Sequence, residues 1–219
     1  DAAPTYDRLN DLLSLGLHRQ WKRQLLLHLA PRRGEVWLDL CCGTGDLALA
    51  LSRRVRPGGQ VVGVDAAEAP LAVARSRAAR EPWLPVDFQQ GDALVLDCDT
   101  ASVDGVVMAY GLRNLADPAA GLREIKRVLR PGGRAGLIDF NRLPPTSAAA
   151  RFQRAYLRRV VVPVAEGLGL KDHYAYLEAS LQHFPDGASQ EQLAKDAGVS
   201  RACHRAMAGG LMGLLILRS

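Results

Sequence analysis

The chain has 219 residues, of which 48% are hydrophobic, 5% aromatic and 23% charged, and its formal net charge is +5. This composition is ordinary for a globular protein and excludes a disordered, collagen-like or coiled-coil chain. The length is that of one domain with room for additions, so we expect a single unit over 1–219, with a helical cap (1–30), a core (34–141) and a closing segment (142–219).

The chain begins with a helical pattern over residues 7–29, which predicts one or two amphipathic helices. From Gly34 onward, short β-branched runs alternate with longer helical patterns, as is typical of β-α-β units around a parallel sheet. The predicted strands are 36–40, 60–65, 85–89, 103–110 and 134–140, and the predicted helices between them are 46–55, 68–80 and 117–129. Two Pro-Gly-Gly turns, 57–59 and 131–133, are expected to end one helix and begin the next strand.

After the fifth predicted strand the pattern changes. Helices are expected over 146–165, 172–182 and 189–197. Two closing runs, 199–207 and 211–217, flank Gly209-Gly210 and predict an antiparallel hairpin at the sheet edge. The sequence therefore predicts an α/β fold, a Rossmann-like doubly wound sheet of seven strands with an N-terminal helical cap and a C-terminal antiparallel hairpin.

The cysteines and the apolar runs restrict the class of protein further. Cys41, Cys42, Cys98 and Cys203 fit no C-x-x-C pairing, so we expect reduced thiols, a cytoplasmic location and no structural metal. The apolar run 207–217 is about half the ~20 residues that a membrane-spanning helix needs. No membrane span and no secretory signal are expected.

The positive charge is concentrated in a basic tract, residues 119–160, which has ten Arg or Lys and two acidic residues. Such a tract indicates an anionic partner surface, although solvated helix faces are the alternative. Arg151, Arg154 and Arg158 follow one another at helical spacing beside two aromatic residues. A helix of this kind can rest on an anionic membrane leaflet, which predicts peripheral membrane contact.

The strongest local signal is the run 38–46, Leu-Asp-Leu-Cys-Cys-Gly-Thr-Gly-Asp, which ends the first strand and opens a helix. Gly43 and Gly45 permit a tight turn and a close approach of the backbone to a ligand. Asp65 follows Gly45 by 20 residues at the end of the second strand, where it can bind a ribose diol. This combination of strand, loop, helix and acid indicates an adenosine cofactor.

The charge around this loop selects among adenosine cofactors. Asp39 and Asp46 bracket the loop, and Ala48 replaces the usual third glycine, so a pyrophosphate and hence NAD are disfavoured. S-adenosylmethionine has no phosphate, and its sulfonium and ammonium groups are attracted by carboxylates. Asp92 and Ala93 follow the third strand, where an adenine edge would lie, although Asp39 or Asp92 alone could serve as a helix cap or turn residue.

The fourth predicted strand ends in Ala109-Tyr110-Gly111-Leu112-Arg113-Asn114. The Asn/Asp-Pro-Pro-aromatic turn expected for methylation of an exocyclic base nitrogen is absent there. No cysteine has the context of a nucleophile for methylation of a base carbon, and Cys98 and Cys203 are expected to fill small apolar spaces.

Five segments together resemble the ubiquinone/menaquinone biosynthesis C-methyltransferase family; they are 6–11, 14–22, 38–46, 110–114 and 127–133. The resemblance runs essentially from end to end, including 174–181 and the closing strands. It implies a class I S-adenosylmethionine-dependent methyltransferase that places a methyl group on a ring carbon of a prenylated quinol. By resemblance, Thr44, Asp65, Asp92 and Ala93 correspond to cofactor contacts.

The double cysteine in the glycine loop resembles the photosynthetic branch of that family, which acts on 2-phytyl-1,4-naphthoquinol in phylloquinone synthesis. Other members more often have Ala-Gly at these positions. A demethylmenaquinol is a related acceptor, and methylation of a benzoquinol in ubiquinone synthesis is the alternative.

The resulting candidate site has three groups of residues and no metal. The cofactor residues are Asp39, Gly43, Thr44, Gly45, Asp65, Asp92, Ala93 and Ala109; the catalytic candidates are Arg113, Tyr6 and Asn114; the substrate-pocket candidates are His18, Tyr110 and Tyr174. Arg113 can stabilise a quinolate oxygen, with an ion pair as its alternative role, and Tyr6 is the first candidate for a proton relay. For His18 and Tyr174, partial burial with a satisfied hydrogen bond is the alternative.

The expected partners are a lipid quinol, an anionic membrane surface and a second copy of the chain in a homodimer. An RNA-binding protein or RNA methyltransferase that uses the basic tract is an alternative of another class, since such a tract would bind phosphates. The tract lacks an interleaved aromatic platform on which bases could stack, and no recognised RNA-binding module is appended, so no nucleic acid is expected.

Overall fold

A computed structural model describes residues 17–143 and 183–219, together with residues 146, 147, 150, 151, 155, 159, 163, 180 and 181. The helices are α1 (His18–Leu29), α2 (Asp46–Val55), α3 (Glu68–Ala78), α4 (Pro118–Val128) and α5 (Gly187–Asp196). The strands are β1 (Val36–Leu40), β2 (Gln60–Asp65), β3 (Val86–Gln90), β4 (Val103–Ala109), β5 (Leu129–Phe140), β6 (Arg201–Met207) and β7 (Met212–Arg218). Short 3-10 turns cover Leu112–Asn114 and Ala208–Gly210.

The seven strands form one sheet in the order β3-β2-β1-β4-β5-β7-β6. Strands β1 to β5 are parallel, whereas β7 pairs antiparallel with both β5 and β6. This arrangement confirms the prediction of a doubly wound α/β fold closed by an antiparallel hairpin. The chain order reverses between β1 and β4, and a crevice for ligands forms at the carboxyl ends of strands at such a point.

Helices cover both faces of the sheet because successive side chains of each central strand point to opposite faces. Trp37 of β1 belongs to the core cluster that includes side chains of α1, α2 and α3, and its neighbour Leu38 belongs to the cluster that includes side chains of α4 and α5. Both side chains are almost fully buried. The central strands are therefore apolar in nearly every position and not alternately polar. None of the described helices is long and apolar enough to cross a membrane.

Most predicted elements lie within two residues of their observed bounds, with one structural difference at the start of β5. The turn Pro131–Gly133 was expected to precede this strand, but Leu129 already pairs with Val103. Pairing then resumes between Arg134 and Gly105, so β5 advances five residues while β4 advances two. The Pro-Gly-Gly sequence thus forms a bulge within the strand and does not form a helix-to-strand turn.

Other predicted elements fall in part outside the described residues. The predicted helix 7–29 is observed from His18, and residues 1–16 are not described. The predicted helices 146–165 and 172–182 lie mostly outside the described residues.

Arg134 ties the end of α1 to the start of the sheet. Its guanidinium donates to the backbone oxygens of Leu29 and Ala30 and to both carboxylate oxygens of Glu35 at 3.1 and 2.8 Å. It also stacks 4.8 Å from the Trp37 ring centroid. The pair is largely buried, and the side chains of Arg134 and Glu35 are only 10% and 16% exposed.

Replacing Arg134 by methionine should lower the free energy of unfolding by about 3 to 5 kcal/mol, because a buried carboxylate and two carbonyls lose their partner. Urea denaturation at neutral pH measures this loss. The matched control is Arg130→Met, whose arginine pairs with Asp104 at 3.0 Å at a more exposed site. The Arg130→Met control should lower the free energy of unfolding by less than about 1 kcal/mol. Equal losses in the two variants would show that Arg134 does not anchor α1.

Candidate cofactor and substrate site

Four neighbouring parallel strands, β3, β2, β1 and β4, end at one edge of the sheet. The predicted cofactor residues lie at that edge: Asp39 near the end of β1, Gly43, Thr44 and Gly45 in the following loop, Asp65 at the end of β2, Asp92 and Ala93 after β3, and Ala109 at the end of β4. The topology therefore brings together residues from four segments of the chain.

The glycine loop is shaped for close approach on two sides. Gly45 has φ +83°, and a Cβ there would lie 2.7 Å from the Phe88 ring, so the loop packs directly on β3. Gly43 has φ +54°, and a Cβ there would meet no atom within 4 Å. Gly45 is thus required for packing, whereas Gly43 faces open space beside the strand ends, where a ligand can approach the backbone.

Asp65 fixes this loop through its carboxylate. Its Oδ2 accepts a hydrogen bond from the Gly43 amide at 2.8 Å, and its Oδ1 accepts one from the Ala67 amide at 3.0 Å. Each carboxylate oxygen has a second lone pair and can accept another donor. The half-buried Asp65 therefore fits two ribose hydroxyls without giving up its hold on the loop.

Asp39 and Thr44 are both buried. The Asp39 carboxylate is 1% exposed and accepts from the Ala48 amide at 2.8 Å, which is the helix-capping interpretation. Burial raises the pKa of Asp39 to about 7, although the nearby Lys22 ammonium acts to lower it. Thr44 is 7% exposed, and both its backbone oxygen and its hydroxyl accept from Arg77.

Asp92 and Ala93 form the opposite rim of the crevice. The exposed Asp92 accepts from the Leu94 amide at 2.9 Å and thereby forms the predicted turn, while Ala93 is buried beneath it. The carboxylate of Asp92 keeps acceptor capacity toward a ligand.

Two non-glycine residues adopt the left-handed backbone conformation at the ends of adjacent strands. Cys41 after β1 has φ +53° and Tyr110 after β4 has φ +61°. Such conformations cost free energy and are concentrated at functional sites. Burial raises the pKa of the Cys41 thiol to about 12, and the carboxylates of Asp65 and Asp39 act in the same direction. Burial and these charges thus disfavour the thiolate form of Cys41.

Arg113 lies in a buried ion pair with Asp139, the residue before the end of β5. Its Nη1 donates to Asp139 Oδ1 at 2.6 Å and to the Tyr110 backbone oxygen at 2.9 Å, and its amide donates to Asp139 Oδ2 at 3.2 Å. The two side chains are only 9% and 6% exposed. The ion-pair alternative is therefore the geometry observed. Sequence reasoning missed Asp139, although an acid near the end of the fifth predicted strand was a usable signal.

Tyr110 and Phe140 form an aromatic wall beside this pair. Their ring centroids are 5.6 Å apart, and the Arg113 guanidinium lies 5.5 Å from the Phe140 centroid. Burial raises the pKa of the Tyr110 hydroxyl well above its usual value, so this group keeps its proton and can donate a hydrogen bond. Among the described residues, neither the Tyr110 hydroxyl nor Arg113 Nε has a hydrogen-bond partner, which leaves two donors available in one cluster.

The remaining predicted residues are placed differently. Asn114 is exposed, and its side chain donates to the Tyr110 backbone oxygen at 3.0 Å. His18 is buried at the start of α1 and lines a groove between α1 and α2. Tyr6 and Tyr174 lie outside the described residues.

The comparison with solved structures supports the fold. The chain is similar to a SAM-dependent methyltransferase from Aquifex aeolicus, with a TM-score of 0.65, 17% identity and coverage of 90% of this chain and 88% of the other. A possible histamine N-methyltransferase from Thermotoga maritima gives a TM-score of 0.66, 16% identity and coverage of 99% and 96%. Both likenesses confirm the class I methyltransferase fold.

The sequence comparisons are more specific. Residues 1–216 match the model of the ubiE/COQ5 methyltransferase family. The chain is 45% identical to the "2-phytyl-1,4-naphtoquinone methyltransferase" of Nostoc punctiforme, over 98% of this chain and 94% of the relative. It is 43% identical to the "2-phytyl-1,4-beta-naphthoquinone methyltransferase, chloroplastic" of Arabidopsis thaliana, over 98% and 83%.

These matches confirm the predicted methyltransferase that uses S-adenosylmethionine, and the crevice at the strand ends has the carboxylates and open backbone that such a cationic adenosine cofactor requires. The chain belongs to the ubiE/COQ5 methyltransferase family.

Proposed function

We propose that the protein transfers the methyl group of S-adenosylmethionine to a ring carbon of a prenylated naphthoquinol, with 2-phytyl-1,4-naphthoquinol as the acceptor. The observation that carries this proposal is the 45% identity, over 98% of the chain, to a relative named for that substrate. The apolar wall beside the cofactor crevice supports it, because a flat aromatic acceptor can pack on Tyr110 and Phe140.

Three groups of residues hold the cofactor in this proposal. Asp65 accepts from the ribose hydroxyls, Asp92 and Ala93 meet the adenine, and the backbone of Gly43 to Gly45 borders the methionine part. Asp39 acts by fixing the loop, since its side chain is buried and accepts from the Ala48 amide. The cofactor, once bound, supplies an electrophilic methyl group on a positively charged sulfur.

The protein's part in the transfer is to orient the acceptor and to hold its oxygen atoms. The ring carbon must lie in line with the methyl group, and an acceptor hydroxyl must lose its proton so that the ring becomes electron-rich. Tyr110 and Arg113 donate hydrogen bonds to the resulting oxygen. Tyr6 remains the first candidate to relay the proton. The ring carbon then loses its own proton, which restores the aromatic ring.

Peripheral contact with an anionic membrane is part of the proposal, because a phytyl tail partitions into the bilayer. The segment predicted to make this contact, 151–160, lies mostly outside the described residues. A homodimer and a location on the cytoplasmic side of the membrane remain predictions.

The reaction is tested with labelled S-adenosylmethionine and chemically reduced demethylphylloquinone dispersed in detergent. We expect labelled phylloquinol and little product from a prenylated benzoquinol at the same concentration. The oxidised quinone should be inert, because it has no hydroxyl whose deprotonation activates the ring. A preference for the benzoquinol would favour the ubiquinone alternative.

Asp65→Ala should weaken S-adenosylmethionine binding by about 1.5 to 3 kcal/mol, the range for hydrogen bonds to a charged group. Asp65→Asn keeps one acceptor oxygen and should lie between wild type and Asp65→Ala. Titration calorimetry on the folded variants measures the change. The control Asp97→Ala removes an exposed acid elsewhere and should leave the affinity unchanged. An unchanged affinity in Asp65→Ala would show that the cofactor does not bind in this crevice.

Arg113→Lys should lower kcat by about 10² to 10³, because one fixed donor to the developing oxyanion is displaced. The cofactor affinity should stay near that of wild type. Lysine keeps a positive charge beside Asp139, whereas Arg113→Ala would leave a buried carboxylate unpaired and cost about 3 to 5 kcal/mol of stability.

The double variant Arg113→Met/Asp139→Asn removes both charges and separates catalysis from stability. It should fold and still turn over slowly. Turnover near wild type in both variants, with saturating cofactor and quinol, would remove Arg113 from the reaction.

A further inference from the structure

A groove of about 590 Å³ runs between α1 and α2 and is lined by an excess of positive side chains. Its cations are Arg19, Lys22, Arg23, Arg54 and Arg77, and the one acidic residue in its lining is Asp46. The groove starts beside the glycine loop, because Asp46 is the first residue of α2. It therefore begins at the sheet edge that carries the cofactor crevice.

At this end of the groove, two cations share one carboxylate. Lys22 Nζ lies 3.0 Å from Asp46 Oδ2, and Arg77 Nη2 lies 2.7 Å from Asp46 Oδ1. Burial by itself would raise the pKa of Asp46, but Lys22 and Arg77 outweigh it and lower the pKa to about 2. The carboxylate is thus ionised, and the trio keeps one net positive charge.

Farther along the groove, two arginines face each other across the helices. Arg23 is exposed and Arg54 is half-buried, and neither forms an ion pair with a described residue. Arg54 Nη1 donates to the Ala50 backbone oxygen at 2.9 Å, which holds the side chain of Arg54 along α2. Burial and the charge of Arg23 lower the pKa of Arg54. Neighbouring like charges of this kind favour an anion between them.

The basic tract of 119–160 differs from this groove, because its described arginines mostly have acidic partners. Ion pairs join Arg123 to Asp117, Arg127 to Glu124, Arg130 to Asp104 and Arg134 to Glu35. Most of these acids come from outside the tract. In the groove, by contrast, Arg23 and Arg54 lie near each other, and neither has an acidic partner among the described residues.

The helix that forms one side of the groove also carries exposed apolar side chains. Leu17 and Leu27, before and within α1, are 41% and 62% exposed. Leu27 follows Arg23 by one helical turn, so the two lie on one face of the helix. An exposed helix face that combines arginine with leucine is typical of a helix that rests on an anionic bilayer.

We propose that the α1/α2 groove binds the phosphate groups of anionic lipids and holds the cofactor edge of the sheet against the membrane. The biological purpose of this contact rests on the proposed function, since a lipid quinol must reach that edge from the bilayer. The charge complementarity with phosphate is independent of the acceptor. Leu17 and Leu27 enter the headgroup layer while Arg23 and Arg54 meet the phosphates.

The test uses flotation of the full chain with vesicles of equimolar phosphatidylglycerol and phosphatidylcholine at low salt. Arg23→Gln/Arg54→Gln should lower the partition coefficient by roughly 10- to 30-fold, given the usual contribution of each basic residue at an anionic surface. The single variant Arg23→Gln changes an exposed residue and should lose about half of that effect on a logarithmic scale. The control Arg201→Gln/Arg205→Gln removes two exposed charges from the edge strand β6 and should float like wild type.

Three outcomes would overturn the proposal. Equal losses in the groove variant and the β6 control would show attraction by net charge alone. Equal binding to pure phosphatidylcholine would show a purely apolar contact. Thermal stabilisation of wild type, but not of the groove variant, by inorganic phosphate without any flotation would indicate a soluble phosphate ligand.

The same variants distinguish this proposal from the proposed function. With quinol dispersed in detergent, the groove variant should keep wild-type turnover, because neither arginine belongs to the catalytic cluster. Loss of flotation with full turnover supports the groove alone. Absence of methyl transfer in wild type would refute the acceptor and leave the flotation result standing.

Discussion

The site depends on two carboxylates that hold one loop. Asp39 from β1 accepts from the Ala48 amide, and Asp65 from β2 accepts from the Gly43 amide, both at 2.8 Å. The first bond opens α2 and the second sets the glycine turn that precedes it. Because both acceptors are strand residues, the rigid sheet fixes the loop. Asp65, the less buried of the two acceptors, thus also places a carboxylate beside the crevice, where it can attract a sulfonium cofactor.

The distribution of charged residues along the sequence did not predict where unpaired charge lies in the folded structure. The basic tract has ten positive residues in the sequence, yet four of them pair with Asp117, Glu124, Asp104 and Glu35. The α1/α2 groove collects its cations from three successive helices, and Arg54 and Arg77 join those of α1 only through the fold. Local composition reports on a segment, whereas an ion pair or an anion site depends on which segments the fold brings together.

The elements predicted best were those with strong local causes. The observed bounds of β1, β2 and α2 are those predicted. The signals for these elements are local, because β-branched runs and glycine turns act over a few residues. The predicted start of β5 was wrong. A Pro-Gly-Gly sequence resembles a turn whether or not the preceding leucine pairs with a neighbouring strand. The partnership of Arg113 with Asp139 spans 26 residues, and the left-handed backbone of Tyr110 lacks the glycine that would have signalled it. Both depend on tertiary contacts.

The ion pair at Arg113 also resolves a conflict within the proposed reaction. The cofactor binds as a cation, so a bare guanidinium close to the methyl group would repel it and weaken its binding. Asp139 neutralises that guanidinium while it keeps the donors in place, and the oxyanion then receives hydrogen bonds without a net positive charge nearby.

In the proposed reaction, the carboxylates of the crevice act at a different stage. They attract the cofactor while its sulfur is positive, and transfer of the methyl group removes that charge. In this proposal Asp65 consequently holds the substrate form of the cofactor more tightly than the form that has lost the sulfonium charge. This difference favours release after the reaction and does not by itself accelerate the transfer. The acceleration is left to the alignment of the acceptor on the Tyr110 and Phe140 wall and to the donors beside it.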